Sequence, residues 1–281
     1  MKKFLCAAVA AVCITSLFAF SGCSYETSVN FTLSEDGTYC ILSSVTGSGG
    51  LKEYAVPKFC VEDESGALRP ATEEDDANSY IPVKEIGEGA FFTCNSLTGL
   101  TLPEGLEKIG DLAFAYSGIG EITIPSTVTE IGASAFGACD SLKQVTIPDS
   151  VTKIGAMAFY GCDRLETVVI GNGIKEIGYY VFANSIIVSG GQVYAPSVLT
   201  EVHLPASLEK IDVTAFYGSV WLTDVYYDGT SEEFKEVVFY KMVKNAESGK
   251  FEEVALETDK RGFYASEDAA APLNVKMHYK T

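Results

Sequence analysis

A 23-residue stretch used twice in succession decides what this chain can fold into. Residues 128–150 read V-T-E-I-G-A-S-A-F-G-A-C-D-S-L-K-Q-V-T-I-P-D-S. Residues 151–173 put Val, Ile-Gly, Ala-Phe, Cys, Leu, Val and Ile at the same places. Two adjoining copies at this fidelity describe one structural unit that cannot bury its apolar side alone and stacks on a neighbour to do so. Laid along the chain, the same ruler finds six copies between Val83 and Tyr227. Copy one runs 83–105. Copy two, 106–127, is one residue short between Phe114 and Ile119. Copies three and four are the opening pair. Copy five starts at Ile174 and carries an insertion of 11 residues within 186–198. Copy six starts at Leu208.

Each repeat position has a physical reading. In Leu142, Val145 and Ile147 the last two alternate as in a strand, so both face one side. Pro148 ends that strand because it has no N–H for the next coil. Val151 and Ile154 return to the core. Gly155 follows where a positive φ or a tight bend is expected, and Asp212, its counterpart in copy six, is a residue type that tolerates the left-handed region. Ala158 and Phe159 supply one small and one large core group. Repeated coil by coil, the large group predicts a stack of Phe91, Phe114, Phe136, Phe159, Phe182 and Phe216. Cys94, Ser117, Cys139, Cys162, Ser185 and Ser219 share one position, which reads as a small buried side chain rather than a ligand or nucleophile.

The pattern I-G-x-x-A-F-x-x-C-x-x-L-x-x-V-x-I-P resembles the BspA-like class of leucine-rich repeats found in bacterial surface proteins. The match is strong over 83–227 and weak over 51–57. Val225 to Thr230 with Glu232, Glu233 and Phe234 resembles the closing segment of that class, with Phe234 where Trp is usual, and Asn274 to Tyr279 resembles its final strand. The segment 241–271 departs from the pattern and reads as a charged insertion of lower order. The resemblance implies a leucine-rich-repeat solenoid: right-handed coils, a parallel β-sheet on one face, short helical, 3-10 or irregular segments on the other, and a cap at each end. It implies no particular ligand.

The N-terminus reads as a separate object. Lys2 and Lys3 precede an uncharged apolar run, Phe4 to Phe20, closed by the small residues Ser21 and Gly22. This is the pattern of an export signal, too short and too early for a mature transmembrane span. Phe20-Ser21-Gly22-Cys23 resembles the lipobox of bacterial lipoproteins, with Phe20 in place of the usual aliphatic residue. The resemblance makes Cys23 the lipidated N-terminus of the mature protein and places it on the outer side of the cell membrane. The domains expected are a signal peptide (1–22), an N-terminal cap with a half-repeat (23–57), an acidic loop (58–82), the six repeats (83–227) and a C-terminal cap (228–281). The first cap is expected to hold a hairpin turning at Asp36-Gly37, and its Cys40 and the loop's Cys60 could pair in an oxidising compartment. Six acidic residues between Glu62 and Asp75, with Asp76, suggest a solvated loop. A calcium site is the alternative there, although no D-x-[DN]-x-[DN]-G spacing is present.

The charge balance narrows the function. With 38 Asp and Glu against 20 Lys and Arg, the net charge is -18. A binder of phosphate backbones needs a basic face, so nucleic acid is not an expected partner. No H-E-x-x-H, G-x-S-x-G, Walker loop or CxxC is present, and no catalytic residue, metal site or cofactor is predicted. What remains is recognition. The outward residues of the L-x-x-V-x-I strands line up coil by coil, about 4.8 Å apart. One column is Thr101, Thr123, Thr146, Val169, His203 and Tyr226. The column beside it includes Gln144, Glu201 and Asp224. These nine residues are the candidate ligand contacts. The partner expected is an extracellular protein or glycan, as for an adhesin or host-interaction module, with an envelope-assembly role as the alternative. Two further places lie outside the ruler: the apolar, Gly-containing insertion at 186–198, and Trp221, expected to be partly buried near the C-terminal cap.

Overall fold

The computed structural model describes residues 27–47, 50–185, 187–189, 192–194, 197–244, 250–256, 262–263 and 273–280. The leader and Cys23 lie outside the described residues. The repeat folds into stacked coils, as expected of a leucine-rich-repeat solenoid. Each coil meets the next along three sides, of which the first is laddered only in part.

The first side is the sheet made by the L-x-x-V-x-I runs. Gln144–Ile147, Thr167–Ile170, Glu201–Leu204, Asp224–Tyr227 and Lys276–Tyr279 form it in that order. All neighbours are parallel and in equivalent register, so Val145 meets Val168, Val202 and then Val225. The alternation read from sequence appears as burial: Val145 and Ile147 are inside, Gln144 and Thr146 outside. Nearer the N-terminus, Glu53–Ala55 pairs with Gly99–Thr101 in a separate two-stranded piece.

The second side is also β-structure, made of very short strands. The residues before each Ile-Gly join Ile81–Ile86, Lys108–Ile109, Glu130–Ile131 and Lys153–Ile154 in one parallel run. A second run holds Glu176–Ile177, Lys210–Asp212 and Val238–Lys244, with Phe251–Ala255 antiparallel at its edge. Ile86, Ile109, Ile131, Ile177 and Ile211 are buried and Ile154 is partly buried, and the charged neighbour of each is more exposed. Those neighbours pair across coils: Lys108 with Glu85 at 2.9 Å and Lys153 with Glu130 at 2.6 Å.

The third side is the turn through Ala-Phe. Here N–H groups of alternate residues donate to the next coil. Gly89, Phe91 and Thr93 bond the carbonyls of Asp111, Ala113 and Ala115. Met157, Phe159 and Gly161 bond those of Tyr179, Val181 and Ala183. The first and third residue of each trio lie in the left-handed region, with φ of 59° at both Thr93 and Met157. A non-glycine residue there costs roughly 1–2 kcal/mol. The intercoil bond, worth about 1 kcal/mol net, offsets much of it.

The Ile-Gly glycine therefore serves a different purpose from the one expected. Gly110, Gly132 and Gly155 are not among the residues with positive φ. They are needed because coils touch: a Cβ on Gly110 would lie 2.8 Å from Ile86 O, and one on Gly155 would collide with Ala133 N. Asp212 is accommodated as a turn former, its buried carboxylate accepting from Thr214 N and Oγ1.

Inside, the six predicted phenylalanines form one continuous stack with centroid spacings from 5.0 to 5.5 Å. All are essentially without solvent contact. Cys139 and Cys162 are buried beside the stack, their thiols donating to Phe114 O and Phe136 O of the preceding coil. Ser117 and Ser219 are buried at the same position. Ser185 is exposed, because Asn184 takes the inward place just before the copy-five insertion.

The ends depart from the bare repeat. Ser28–Leu33 and Cys40–Thr46 form the expected hairpin, and Cys40–Thr46 continues the second side through Ile81–Ile86. The segment 58–82 is not the solvated loop read from its charges. Phe59–Glu62 and Leu68–Pro70 are an antiparallel pair, Phe59 and Cys60 also pair with Pro82 and Ile81, and Cys60, Val61 and Ala67 are buried. Its three aspartates are occupied within the fold. Asp63 accepts from Ser65 and Ala67, Asp75 takes the Arg69 guanidinium in a bidentate pair, and Asp76 caps the 3-10 turn Ala77–Ser79. At the other end, Thr230 and Glu233 form a capping box on the short helix Ser231–Phe234. Part of the segment read as low order, 241–271, is the hairpin Val238–Lys244 with Phe251–Ala255. The insertion at 186–198 contains the hairpin Ile187–Ser189 with Gln192–Tyr194.

Candidate functional site

The outward columns of the first side come out in two parts with different characters. The C-terminal part is a continuous ladder. Cross-strand register places Thr146 beside Val169, then His203, Tyr226 and His278. The last three are stacked rings. His203 and Tyr226 lie 4.6 Å apart at 10°, and Tyr226 and His278 lie 4.2 Å apart at 10°. In-register parallel pairing causes this, because it sets side chains one strand spacing apart, about the distance of two stacked rings.

The neighbouring column, Gln144, Thr167, Glu201, Asp224 and Lys276, holds the imidazoles in place. His203 Nε2 lies 2.7 Å from Glu201 Oε1 and His278 Nε2 lies 2.8 Å from Asp224 Oδ1. The hydrogen bond from His278, and then the one from Thr223, holds the Asp224 carboxyl below the usual carboxylate range. The result is a half-exposed row of three rings whose edges face solvent, fixed by two carboxylates. His278 was not among the residues singled out from sequence. It lies in the strand that closes the sheet, beyond the sixth repeat, and only the register brings it into the column.

The N-terminal part is broken. Thr101 lies on Gly99–Thr101 and Gln144 on Gln144–Ile147. Between them residues 121–125, which carry Thr123, form no strand. Glu121, Ile122, Thr123 and Ile124 make no backbone hydrogen bond among the described residues, and the one link to copy three at this place runs from Lys143 N to Gly120 O. Copy two is the copy one residue short between Phe114 and Ile119, and the run that leaves the ladder follows directly on that gap. A cleft of about 710 Å³ opens there, lined by Glu53, Tyr54, Leu100, Thr101, Ile122, Thr123 and Gln144 among others.

Other sequence candidates fall elsewhere. Trp221 is not partly buried: it stands 61% exposed. The Cys139 and Cys162 thiols face the core, and burial pushes Cys139 up to about 11 and Cys162 well above the usual thiol value, which leaves no reactive thiolate at neutral pH. Among the described residues no three His, Cys, Asp or Glu side chains gather as a metal site. No helix among them is long and apolar enough to cross a membrane.

Stacked coils around a phenylalanine core, with one outward face of ordered side chains, define a leucine-rich-repeat protein. The repeat pattern itself is that of the BspA type leucine-rich repeat region, which matches residues 77–189 and 190–268 in six copies, and the chain belongs to that family. Among solved structures, the T. pallidum leucine-rich repeat protein is similar at 26% identity and a TM-score of 0.54, over 70% of this chain and 78% of that one. A leucine-rich repeat protein from Bacteroides capillosus is 30% identical over 50% of this chain and 93% of its own, with a TM-score of 0.39. One from Bacteroides ovatus is 19% identical over 72% of this chain and 54% of its own, with a TM-score of 0.48. No curated protein matches the sequence.

Proposed function

We propose that the protein is a non-catalytic, exported binding scaffold, lipid-anchored at Cys23, whose first side holds an extracellular protein or glycan. The observation that carries this reading is the row His203, Tyr226 and His278 with Glu201 and Asp224. Rings already stacked and already hydrogen-bonded lose little side-chain freedom when a partner docks, which is what makes a contact surface productive. The family membership supports an interaction role. The apolar leader and the Phe20-Ser21-Gly22-Cys23 sequence support export and anchoring.

The test has two arms. The chain from residue 24 is offered to arrays of extracellular-matrix proteins and glycans, alongside Tyr226→Ala. A saturable ligand that the variant binds at least about tenfold more weakly supports the reading. No saturable ligand, or one indifferent to Tyr226, overturns it. Crosslinking on intact cells then identifies the neighbours, and envelope proteins alone would shift the role to assembly. For the anchor, Cys23→Ser is expected to abolish incorporation of labelled fatty acid and to change membrane retention. Unchanged labelling refutes it.

A further inference from the structure

The geometry points to a second binding site, separate from the ring ladder: we propose that the cleft between Gly99–Thr101 and Gln144–Ile147 takes an extended polypeptide segment carrying a Lys or Arg side chain. Four observations converge on it. First, residues 121–124 read Glu-Ile-Thr-Ile, a strand-forming alternation, yet their backbone N–H and C=O groups have no backbone partners among the described residues. Elsewhere on this side the corresponding runs are laddered. An unpaired strand-like edge is a template for another chain, since main-chain hydrogen bonds supply affinity without requiring a particular sequence.

Second, the floor is apolar and open. The inward position of the run is Val145, Val168, Val202 and Val225 in the laddered coils, at most 1% exposed. In the three N-terminal coils it is Tyr54, Leu100 and Ile122, all only partly buried. Alternate side chains of an incoming strand would cover these three. Third, the cleft's 710 Å³ falls within the ~300–1,000 Å³ of sites that enclose ligands. Fourth, the charge is one-sided. Glu53 and Glu121 line the cleft, and neither has an ion-pair partner among the described residues. No Lys, Arg or His lines it. On the second side, by contrast, carboxylates such as Glu85, Glu107 and Glu130 each face a lysine of an adjacent coil. A cation on the ligand is the complement the cleft lacks.

The experiment uses the chain from residue 24 and a panel of immobilised unstructured peptides. One set alternates apolar residues with Lys or Arg. A second set replaces the cations with Glu. A third keeps the cations but puts Pro at alternate positions, which removes the N–H groups an added strand needs. Binding by the first set alone, weakened at least about tenfold by E53Q/E121Q together and unaffected by Tyr226→Ala, supports the proposal. So does a slowing of amide exchange at residues 121–124 by about tenfold or more on adding the best peptide. Equal binding of the acidic set, equal binding of the proline set, no peptide binding, binding of glycans only, or unchanged exchange at 121–124 each overturns it. Dependence on Tyr226 instead of Glu53 and Glu121 would place the peptide on the ring ladder and likewise overturn it.

Discussion

Replacing Phe159 by Ala probes the feature that joins all the coils. Phe159 has no solvent contact and lies between Phe136, at 5.0 Å and 4°, and Phe182, at 5.3 Å and 13°. Truncating a buried Phe costs about 3–5 kcal/mol through lost transfer energy and the cavity left behind. Stacked neighbours on both sides add ~0.5–1.5 kcal/mol per pair, and the intercoil bonds resist collapse, so the upper end, about 4–5 kcal/mol, is expected. Phe159→Leu keeps much of the buried area and loses the ring contacts, and should cost about 1–2 kcal/mol. Urea titration of the chain from residue 24, followed by circular dichroism, measures both. Because each coil contacts only its neighbours, the Ala variant should also split one transition into two. A cost below about 1 kcal/mol for Ala, or equal costs for Ala and Leu, would refute the account of the stack as a shared core.

Three further expectations follow from the coil junctions and the N-terminal cap. Met157→Gly relieves a left-handed residue but gives up a half-buried side chain and adds freedom to the unfolded chain, so it should stay within about 1 kcal/mol of wild type, whereas Gly155→Ala drives a Cβ into Ala133 and should destabilise by more than that; thermal melts of the two variants separate them. Cys40 and Cys60 are fully buried, hydrogen-bonded thiol to thiol and unbridged, with the Cys60 proton held by that bond and by burial. Oxidation of the folded chain should close them into a disulfide worth about 3 kcal/mol, visible in intact mass and melting temperature, and five alkylatable thiols instead of three in the unfolded chain from residue 24 after oxidation would contradict this. Asp75 is held well below the usual carboxylate range by its hydrogen bonds with Arg69 and then Thr72. A depressed folded-state pKa contributes stability above the unfolded value near 4 and loses it as pH falls towards the folded value. Amides of 59–70 should therefore lose protection on acidification below about pH 4 earlier in wild type than those of 130–154, and Asp75→Asn should show the loss already at neutral pH.

Much of this architecture was legible in the sequence because a repeat reports each core position several times over. The repeat pattern alone puts Val145, Ile147, Phe159 and Cys162 inside, and the structure holds Val169, His203 and Tyr226 in register as one column. What escaped was set by contacts between coils. Nothing in one copy shows that Gly155 is pressed against Ala133, so the sequence offers only a positive φ or a tight bend as the reason for its glycine. In copies two to five the strands on the second side are only two residues long, below what periodicity can detect. The 58–82 segment was judged by its charges, whereas Phe59, Cys60 and Val61 fold it and the aspartates close its turns. The one-residue deficit in copy two is visible in the sequence, but whether the run after it joins the ladder depends on the coils on either side.

Copies three and four share Val, Ile-Gly, Ala-Phe, Cys, Leu, Val and Ile at the same places, and each offers the next coil the same three edges. A recombination event that duplicates or removes residues 151–173 would therefore join compatible surfaces, since Ile174 can follow Ser150 as Val151 does. The ring ladder lies at one end of the first side and the cleft at the other. Each such event would move them apart or together by one strand spacing, about 4.8 Å. Reach between the two places can thus be retuned in whole-number steps by changes in copy number, with no new core to invent.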